Sequence, residues 1–257
     1  MTFTTCNGGT LFYTDEGSGR ALLLIHGWGA DSHSWSPHLP ELTTRYRVLA
    51  PDLRGHGRSE VTPTGYRSGE LAADLADLVG RRGVGPVVAI GHSMGGTVAT
   101  VLAVEHPELV SALVVLDPAY GADDAEMATV PARLAELWRY GSEAAARQMA
   151  GAWTAETPAW LATWTRRLML GAPTSVLAQA FAGLYVGPDA IGPRAVAGRY
   201  LARVRQPTLA VFAGREPAAW FASALPRSTV ECWPGAGHYL HQERPEAFLA
   251  TLRRWLG

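Results

Sequence analysis

The sequence predicts an α/β protein with a mostly parallel sheet, helices on both faces of that sheet, and a helical insertion after the sixth strand. Short apolar runs of strand length alternate with longer helical patterns along most of the chain. Strand and helix in alternation favour right-handed crossovers, which place neighbouring strands parallel. The alternation stops between residues 119 and 202, where only helical patterns occur, and it resumes afterwards.

Strands are predicted from an alternating pattern at the N-terminus and from continuous apolar runs further on. Thr2 to Thr5 and Leu11 to Thr14 flank Asn7-Gly8-Gly9, and an Asn-Gly pair supports a tight hairpin turn. Strands buried on both faces of a parallel sheet are apolar throughout. Such runs occupy residues 21–25, 47–50, 86–90, 113–116, 208–212 and 229–233.

Three helices are predicted in the alternating part of the chain. Ser68 to Arg82 carries its apolar residues on one face, and Gly95 to Glu105 is followed by Pro107, which ends a helix. The closing helix, Pro245 to Leu256, begins with proline in its first turn, where proline is well tolerated.

The segment without strand patterns is interpreted as an insertion into one domain. The chain then divides into a first core part (residues 1–118), a helical cap (residues 119–202) and a second core part (residues 203–257). Glycine and proline separate the helical stretches of the cap. These stretches are residues 123–140, 143–153, 157–170 and 174–185.

Composition and charge favour a globular protein that acts on a small molecule. The chain is 47% hydrophobic, and its formal net charge of −1 gives no general attraction for nucleic acid or an anionic membrane. No segment approaches the roughly 20 continuous apolar residues of a membrane span, and the N-terminus has no signal-peptide pattern. We therefore expect a cytoplasmic protein without nucleic-acid or membrane partners, and homo-oligomer formation is left open.

The stretch Gly91-His92-Ser93-Met94-Gly95 predicts a nucleophile. It directly follows a buried strand and precedes a helix, which is the context that gives G-x-S-x-G its meaning. A serine on that sharp turn has strained backbone geometry and an exposed hydroxyl, and the flanking glycines permit close approach of other backbone. Ser93 is therefore the candidate nucleophile.

A serine hydroxyl needs a base, and His238 is the best candidate. Catalytic groups gather beyond the carboxyl ends of parallel strands, and His238 lies in the glycine-containing loop after the final strand. His241 is expected to be a surface residue beside a helix. A zinc site of Cys232, His238 and His241 lacks a fourth ligand, so no metal is expected. No Walker A or Rossmann pattern is present, so no cofactor is expected.

The first buried strand is followed by His26-Gly27-Trp28-Gly29, in a position suited to bind an oxyanion. Acyl transfer needs hydrogen-bond donors where the carbonyl oxygen becomes negative, and backbone amides suit that purpose. We assign the two donors to the amides of Trp28 and Met94. The turn from Asp52 to Ser59 also follows a strand, and for it we expect a structural role.

These motifs, together with Gly235-Ala236-Gly237-His238, resemble those of the α/β-hydrolase family over nearly the whole chain outside the cap. The resemblance implies an eight-stranded sheet, a cap at residues 119–202, and the chain order serine, acid, histidine. It implies hydrolysis without fixing the substrate, because relatives cleave esters, lactones, C–C bonds and epoxides. The dehalogenase and epoxide hydrolase branches carry aspartate at the nucleophile position, so Ser93 argues against both.

The acid of the triad is where the sequence departs from the family pattern. Relatives usually carry Gly-x-x-Asp after the strand that follows the cap, but here the stretch reads Ala213-Gly214-Arg215-Glu216-Pro217. Glu216 is one candidate. Asp117, at the end of the strand before the cap, is the other and the preferred one, since some relatives place their acid there.

Aromatic residues in the cap and near the predicted site suggest a hydrophobic ester or lactone as substrate. A hydrolase of C–C bonds, an acyltransferase and a ligand-binding protein with negligible turnover are the alternatives. The candidate substrate-binding residues are Trp28, Trp138, Tyr185, Trp220 and Tyr239.

Overall fold

Eight strands form one sheet in the computed structural model, which describes residues 2–257. Their order across the sheet is β1-β2-β4-β3-β5-β6-β7-β8. β2 pairs antiparallel with β1 and β4, and every other neighbouring pair is parallel. The strands are β1 (Thr2–Cys6), β2 (Gly9–Gly17), β3 (Ala21–Ile25), β4 (Arg47–Pro51), β5 (Val87–His92), β6 (Val110–Leu116), β7 (Thr208–Phe212) and β8 (Thr229–Cys232).

Helices cover both faces of the sheet, because the central strands bury alternate side chains on each face. In β3, Leu23 and Ile25 pack in one apolar cluster, while Leu22 and Leu24 pack in a second cluster with Trp35. The helices are α1 (Leu39–Leu42), α2 (Ser68–Arg82), α3 (Met94–Glu105), α4 (Asp124–Met149), α5 (Ala159–Gly171), α6 (Thr174–Tyr185), α7 (Arg194–Leu201), α8 (Arg215–Ala224), α9 (Leu240–Glu243) and α10 (Pro245–Leu256).

Four helices, α4 to α7, lie between β6 and β7, where the insertion was predicted. The first two predicted cap helices are joined in α4 and meet at Gly141, whose φ of 61° interrupts the helical backbone. A Cβ atom at Gly141 would lie 2.5 Å from the Thr174 hydroxyl, so the kink also permits close contact with α6. Helix α7 was not predicted from the sequence.

The predicted fold class is confirmed: the sheet is mostly parallel, has helices on both faces, and carries a helical insertion after the sixth strand. Within residues 2–257, no single helix has both the length and the apolar composition of a membrane span. The bent pair α5 and α6 meets that test only when its two helices are taken together, across an angle of 103°.

Candidate active site

Ser93 occupies a strained turn between β5 and α3. Its φ of 54° and ψ of −121° are rare for a residue with a side chain, and such strain is characteristic of functional sites. Both flanking glycines are required sterically. A Cβ atom at Gly91 would lie 2.1 Å from the Gly95 carbonyl oxygen, and one at Gly95 would lie 2.2 Å from the Ile25 carbonyl oxygen.

Asp117 and His238 are brought together although they are far apart in sequence. The Nδ1 atom of His238 lies 2.7 Å from Oδ2 of Asp117, while the Ala213 amide donates to Oδ1 at 3.2 Å. Asp117 follows β6 and His238 follows β8, so both project from the carboxyl ends of parallel strands. Ser93, Asp117 and His238 line the same cavity.

Glu216, the other candidate acid, is engaged elsewhere. Its Oε1 lies 2.9 Å from Nη2 of Arg194, and its side chain is 66% exposed. Glu216 lies in the first turn of α8, with Pro217 directly after it. Glu216 therefore lines the cavity without being the carboxylate that contacts His238.

The surroundings of Asp117 favour its ionised form. Burial alone opposes ionisation, but the hydrogen bond from His238, the charge of that imidazole and the Ala213 amide together lower the pKa of Asp117 below its usual value. An ionised carboxylate at Nδ1 fixes the proton of His238 on that nitrogen and leaves Nε2 to accept a proton.

The loop after β3 lies directly against Ser93. A Cβ atom at Gly27 would lie 3.2 Å from Cβ of Ser93, so glycine allows this approach. The backbone amides of Trp28 and Met94 donate to no acceptor within residues 2–257. Two amides next to Ser93 in the fold are thus available for a ligand oxygen.

The turn from Asp52 to Ser59 anchors that loop, in agreement with the expected structural role. The buried Asp52 carboxylate accepts hydrogen bonds from the amides of Ser32 and Arg58, both at 2.8 Å. His26 Nε2 accepts from the Leu53 amide at 2.9 Å, which joins the start of the loop to this turn.

The loop that carries His238 is held in place by hydrogen bonds that were not predicted from the sequence. His92 Nε2 donates to the His238 carbonyl oxygen at 2.8 Å, and the His238 amide donates to Ala152 of the cap at 2.9 Å. Glu243 accepts from the Gly237 amide at 2.6 Å and from the Thr157 hydroxyl at 2.7 Å. These partners come from distant segments, and no local motif marks them.

The expectation that His241 lies at the surface is wrong. Its side chain is fully buried. The centroid of its ring lies 4.7 Å from that of Trp35 and 4.6 Å from that of His92. Burial, together with neighbouring imidazoles, holds the pKa of His241 well below its usual value, so the ring is neutral at pH 7. His38 lies beside it and is also buried.

A cavity of about 850 Å³ opens above Ser93, a size that suits a small organic molecule. Four predicted substrate-binding residues line it: Trp28, Tyr185, Trp220 and Tyr239. The prediction that Trp138 binds substrate is wrong, because Trp138 is 54% exposed and does not line the cavity. The adjacent Leu137 is buried, so Trp138 projects from α4 toward solvent.

Within residues 2–257, no three His, Cys, Asp or Glu side chains are grouped as metal ligands. The arrangement instead offers a strained serine, an imidazole oriented by a carboxylate, and two backbone amides beside one cavity. Such a set of groups can perform nucleophilic attack on a carbonyl carbon.

Comparison with known proteins identifies the family. A family model described as alpha/beta hydrolase fold matches residues 20–245, so the chain belongs to the α/β-hydrolase family. The thermophilic esterase from Thermogutta terrifontis, solved with malate bound, superimposes with a TM-score of 0.84. It is 29% identical, and the match covers 99% of this chain and 96% of that one.

Two curated relatives match over shorter stretches. The soluble epoxide hydrolase of Corynebacterium sp. (strain C12) is 40% identical over 111 residues, which are 43% of this chain and 39% of that protein. The non-heme haloperoxidase of Rhodococcus erythropolis is 46% identical over 98 residues, which are 37% of this chain and 36% of that protein. The chain thus spans less than half the length of these two relatives.

Proposed function

We propose that this protein is a serine hydrolase that cleaves a carboxylic ester or lactone of a hydrophobic small molecule. The observation that carries the proposal is the 2.7 Å contact between Asp117 and His238 beside the cavity that also contains Ser93. The imidazole gains a defined tautomer from this contact, and the strained turn presents the hydroxyl to the cavity.

In the proposed mechanism, Nε2 of His238 takes the proton of Ser93 as Oγ attacks the carbonyl carbon. The Trp28 and Met94 amides donate to the oxyanion of the tetrahedral intermediate. The proton then passes from His238 to the leaving alkoxide, and an acyl-enzyme remains. Water, deprotonated by His238, attacks that ester and releases the acid and Ser93. Asp117 stays ionised and stabilises the imidazolium.

The relatives support this proposal to different degrees. The Thermogutta terrifontis protein is an esterase by its description, and its match extends over nearly the full length of both chains. The epoxide hydrolase relative is matched over a minor part of its length. Serine at the nucleophile position also favours acyl chemistry over epoxide opening, because hydrolases of that branch carry aspartate there. A cytoplasmic location and the cap boundaries at residues 119 and 202 stay predictions.

Replacement of Ser93 by alanine tests the proposal directly. The wild type should hydrolyse 4-nitrophenyl esters or lactones with steady turnover, whereas Ser93→Ala should retain only the roughly 10³- to 10⁴-fold acceleration over water that binding and oxyanion stabilisation supply. Mass spectrometry after treatment with a fluorophosphonate should locate the label on Ser93. Full activity in Ser93→Ala, or a folded wild type that neither reacts nor turns over any acyl substrate, would overturn the proposal.

A further inference from the structure

Two arginines line the cavity, and they differ in their partners. Arg194 is neutralised, since its Nη2 lies 2.9 Å from Glu216 and its Nε donates to the Gly121 carbonyl oxygen at 2.9 Å. Within residues 2–257, Arg133 has no carboxylate oxygen within 4.0 Å of its guanidinium nitrogens. The Arg133 guanidinium, which lies over the Phe181 ring, is therefore left without an ion pair.

The Arg133 guanidinium is held so that one edge remains available. Its Nε donates to Oε1 of Gln148 at 3.3 Å, and Gln148 Nε2 donates to the Arg133 carbonyl oxygen at 3.0 Å. The Cζ atom lies 4.8 Å from the ring centroid of Phe181, a cation–π arrangement. Neither terminal nitrogen donates to an acceptor within residues 2–257. Those two nitrogens form the edge that binds a carboxylate in a bidentate manner.

Phe181 connects this cation to the catalytic end of the cavity. Its ring centroid lies 5.8 Å from that of Trp28, whose amide is a proposed oxyanion donor, and 5.1 Å from that of Tyr185. The Arg133 guanidinium and the Trp28 indole thus pack against the same aromatic side chain. Arg133, Trp28 and Ser93 also line the same cavity.

Two carboxylates at the cavity rim do not neutralise Arg133. Asp123 and Glu126 are exposed and bind each other's backbone amides, at 2.9 Å and 3.0 Å, in the capping box that begins α4. The N-terminus of the helix stabilises both charges, and neither carboxylate forms an ion pair with Arg133. A carboxylate of the substrate is the group that would complete the environment of Arg133.

We propose that Arg133 binds a carboxylate of the substrate, so that the preferred ester or lactone carries an acidic group at a distance from the bond that is cleaved. This inference rests on the proposed function. It narrows the substrate class from hydrophobic esters in general to esters or lactones that bear a free carboxylate.

A matched pair of substrates tests this proposal. Mono(4-nitrophenyl) adipate carries a terminal carboxylate, and 4-nitrophenyl hexanoate has the same chain length without it. We expect the wild type to prefer the adipate ester in kcat/KM, and Arg133→Gln to reduce that preference by about 10- to 100-fold, as expected for a lost charge-assisted hydrogen bond. Arg133→Lys should retain part of the preference, because a single charge remains without the bidentate geometry.

Arg139 provides the control variant. It lies on the same helix, is exposed, and does not line the cavity, so Arg139→Gln should leave the preference unchanged. Wild-type protein alone offers a second measurement: adipate should inhibit hexanoate hydrolysis competitively, and 1,6-hexanediol should not. An equal effect of Arg133→Gln on both esters, together with no inhibition by adipate, would overturn the carboxylate proposal while the hydrolase stands. Absence of turnover of both esters, with no labelling of Ser93, would overturn both.

Discussion

Two residues of the site have backbone conformations that side chains rarely adopt. Ser93 has φ of 54° and Asp117 has φ of 43°, and they directly follow the paired strands β5 and β6. The Ser93 amide donates to the Leu116 carbonyl oxygen at 2.9 Å, and the Asp117 amide donates to Val211 at 2.8 Å. Sheet-type hydrogen bonds thus continue into the strained residues. They hold the two side chains at neighbouring positions at the edge of the sheet.

Replacement of Asp117 by asparagine should reduce kcat by roughly 10³- to 10⁴-fold, with a much smaller change in KM. The asparagine amide cannot act as the charged acceptor for Nδ1, so the imidazole loses its defined tautomer and the stabilisation of its protonated form. Steady-state kinetics on a 4-nitrophenyl ester would measure the loss.

Glu216→Gln is the matched comparison for that variant. Glu216 pairs with Arg194 on the exposed side of the cavity, so its replacement should cost less than about tenfold in kcat. If Glu216→Gln instead causes the larger loss, Asp117 is not the acid of the triad.

At the scale of elements, the cap and the loop after β8 are connected at several points. The His238 amide donates to Ala152, the Thr154 hydroxyl donates to Gly235 at 3.2 Å, and Glu243 joins Gly237 to Thr157. A Cβ atom at Gly237 would lie 2.8 Å from the Ala152 carbonyl oxygen, so glycine is required at this contact with the cap. The position of the proposed base therefore depends on the cap as well as on the sheet.

Glu243→Gln should reduce kcat by about tenfold with little change in KM. Glutamine can accept one of the two hydrogen bonds, but its amide nitrogen cannot accept the other, and loss of a bond to a charged group costs about 1.5 kcal/mol or more. The rate of Ser93 labelling by a fluorophosphonate should decline in parallel, because that reaction needs the same base.

Glu246→Gln is the control, since Glu246 is exposed in the first turn of α10 and contributes to none of these contacts. A larger change in KM than in kcat for Glu243→Gln would indicate that Glu243 affects substrate binding instead of the base.

The elements that could be predicted from the sequence are those whose pattern is local. Helix α2 has the predicted bounds, Ser68 to Arg82, and β3 and β7 have them too, because a buried strand is marked by its own apolar residues. Helix α7 is only eight residues long and contains Gly198, so its pattern is too short to detect. Helix α8 was not predicted from the sequence either, and glycine and proline lie on both sides of Glu216 at its start.

The residues of the site show the same difference between features with a local sequence pattern and features without one. Ser93 and His238 lie in recognisable motifs. The residues that hold the His238 loop by hydrogen bonds, Ala152, Thr157 and Glu243, come close to that loop only in the folded protein. His241 was misassigned because the residues that bury it, such as Trp35, lie far away along the chain. Burial of a polar residue depends on such distant partners, and periodicity within one helix does not report them.

At the scale of the whole molecule, several histidines are enclosed in the protein in their neutral form. Burial, with a contribution from neighbouring imidazoles, lowers the pKa of His92 and of His56 to about 3, and burial alone lowers the pKa of His38 to about 4. Their ordinary value in an unfolded chain is 6.5. Between these values the unfolded chain binds protons that the folded protein does not, so acid favours unfolding.

The free energy of unfolding should therefore have its full value above pH 6.5 and should decline as the pH falls from 6.5 toward 4. Replacement of His38 by methionine removes one proton-binding group from the unfolded chain. Methionine, an apolar residue, suits this site because neither ring nitrogen of His38 has a hydrogen-bond partner within residues 2–257. The slope of the free energy of unfolding against pH should then decrease by up to about 1.4 kcal/mol per pH unit in this window.

Urea denaturation at pH 6.5, 5.5 and 4.5 would measure these slopes. His33→Asn is the control, because the His33 side chain is 42% exposed, whereas His38 is buried. Its slope should match that of the wild type. A wild type whose unfolding free energy does not change between pH 6.5 and 4.5 would show that the buried imidazoles are protonated in the folded state, since only a difference in bound protons produces the slope.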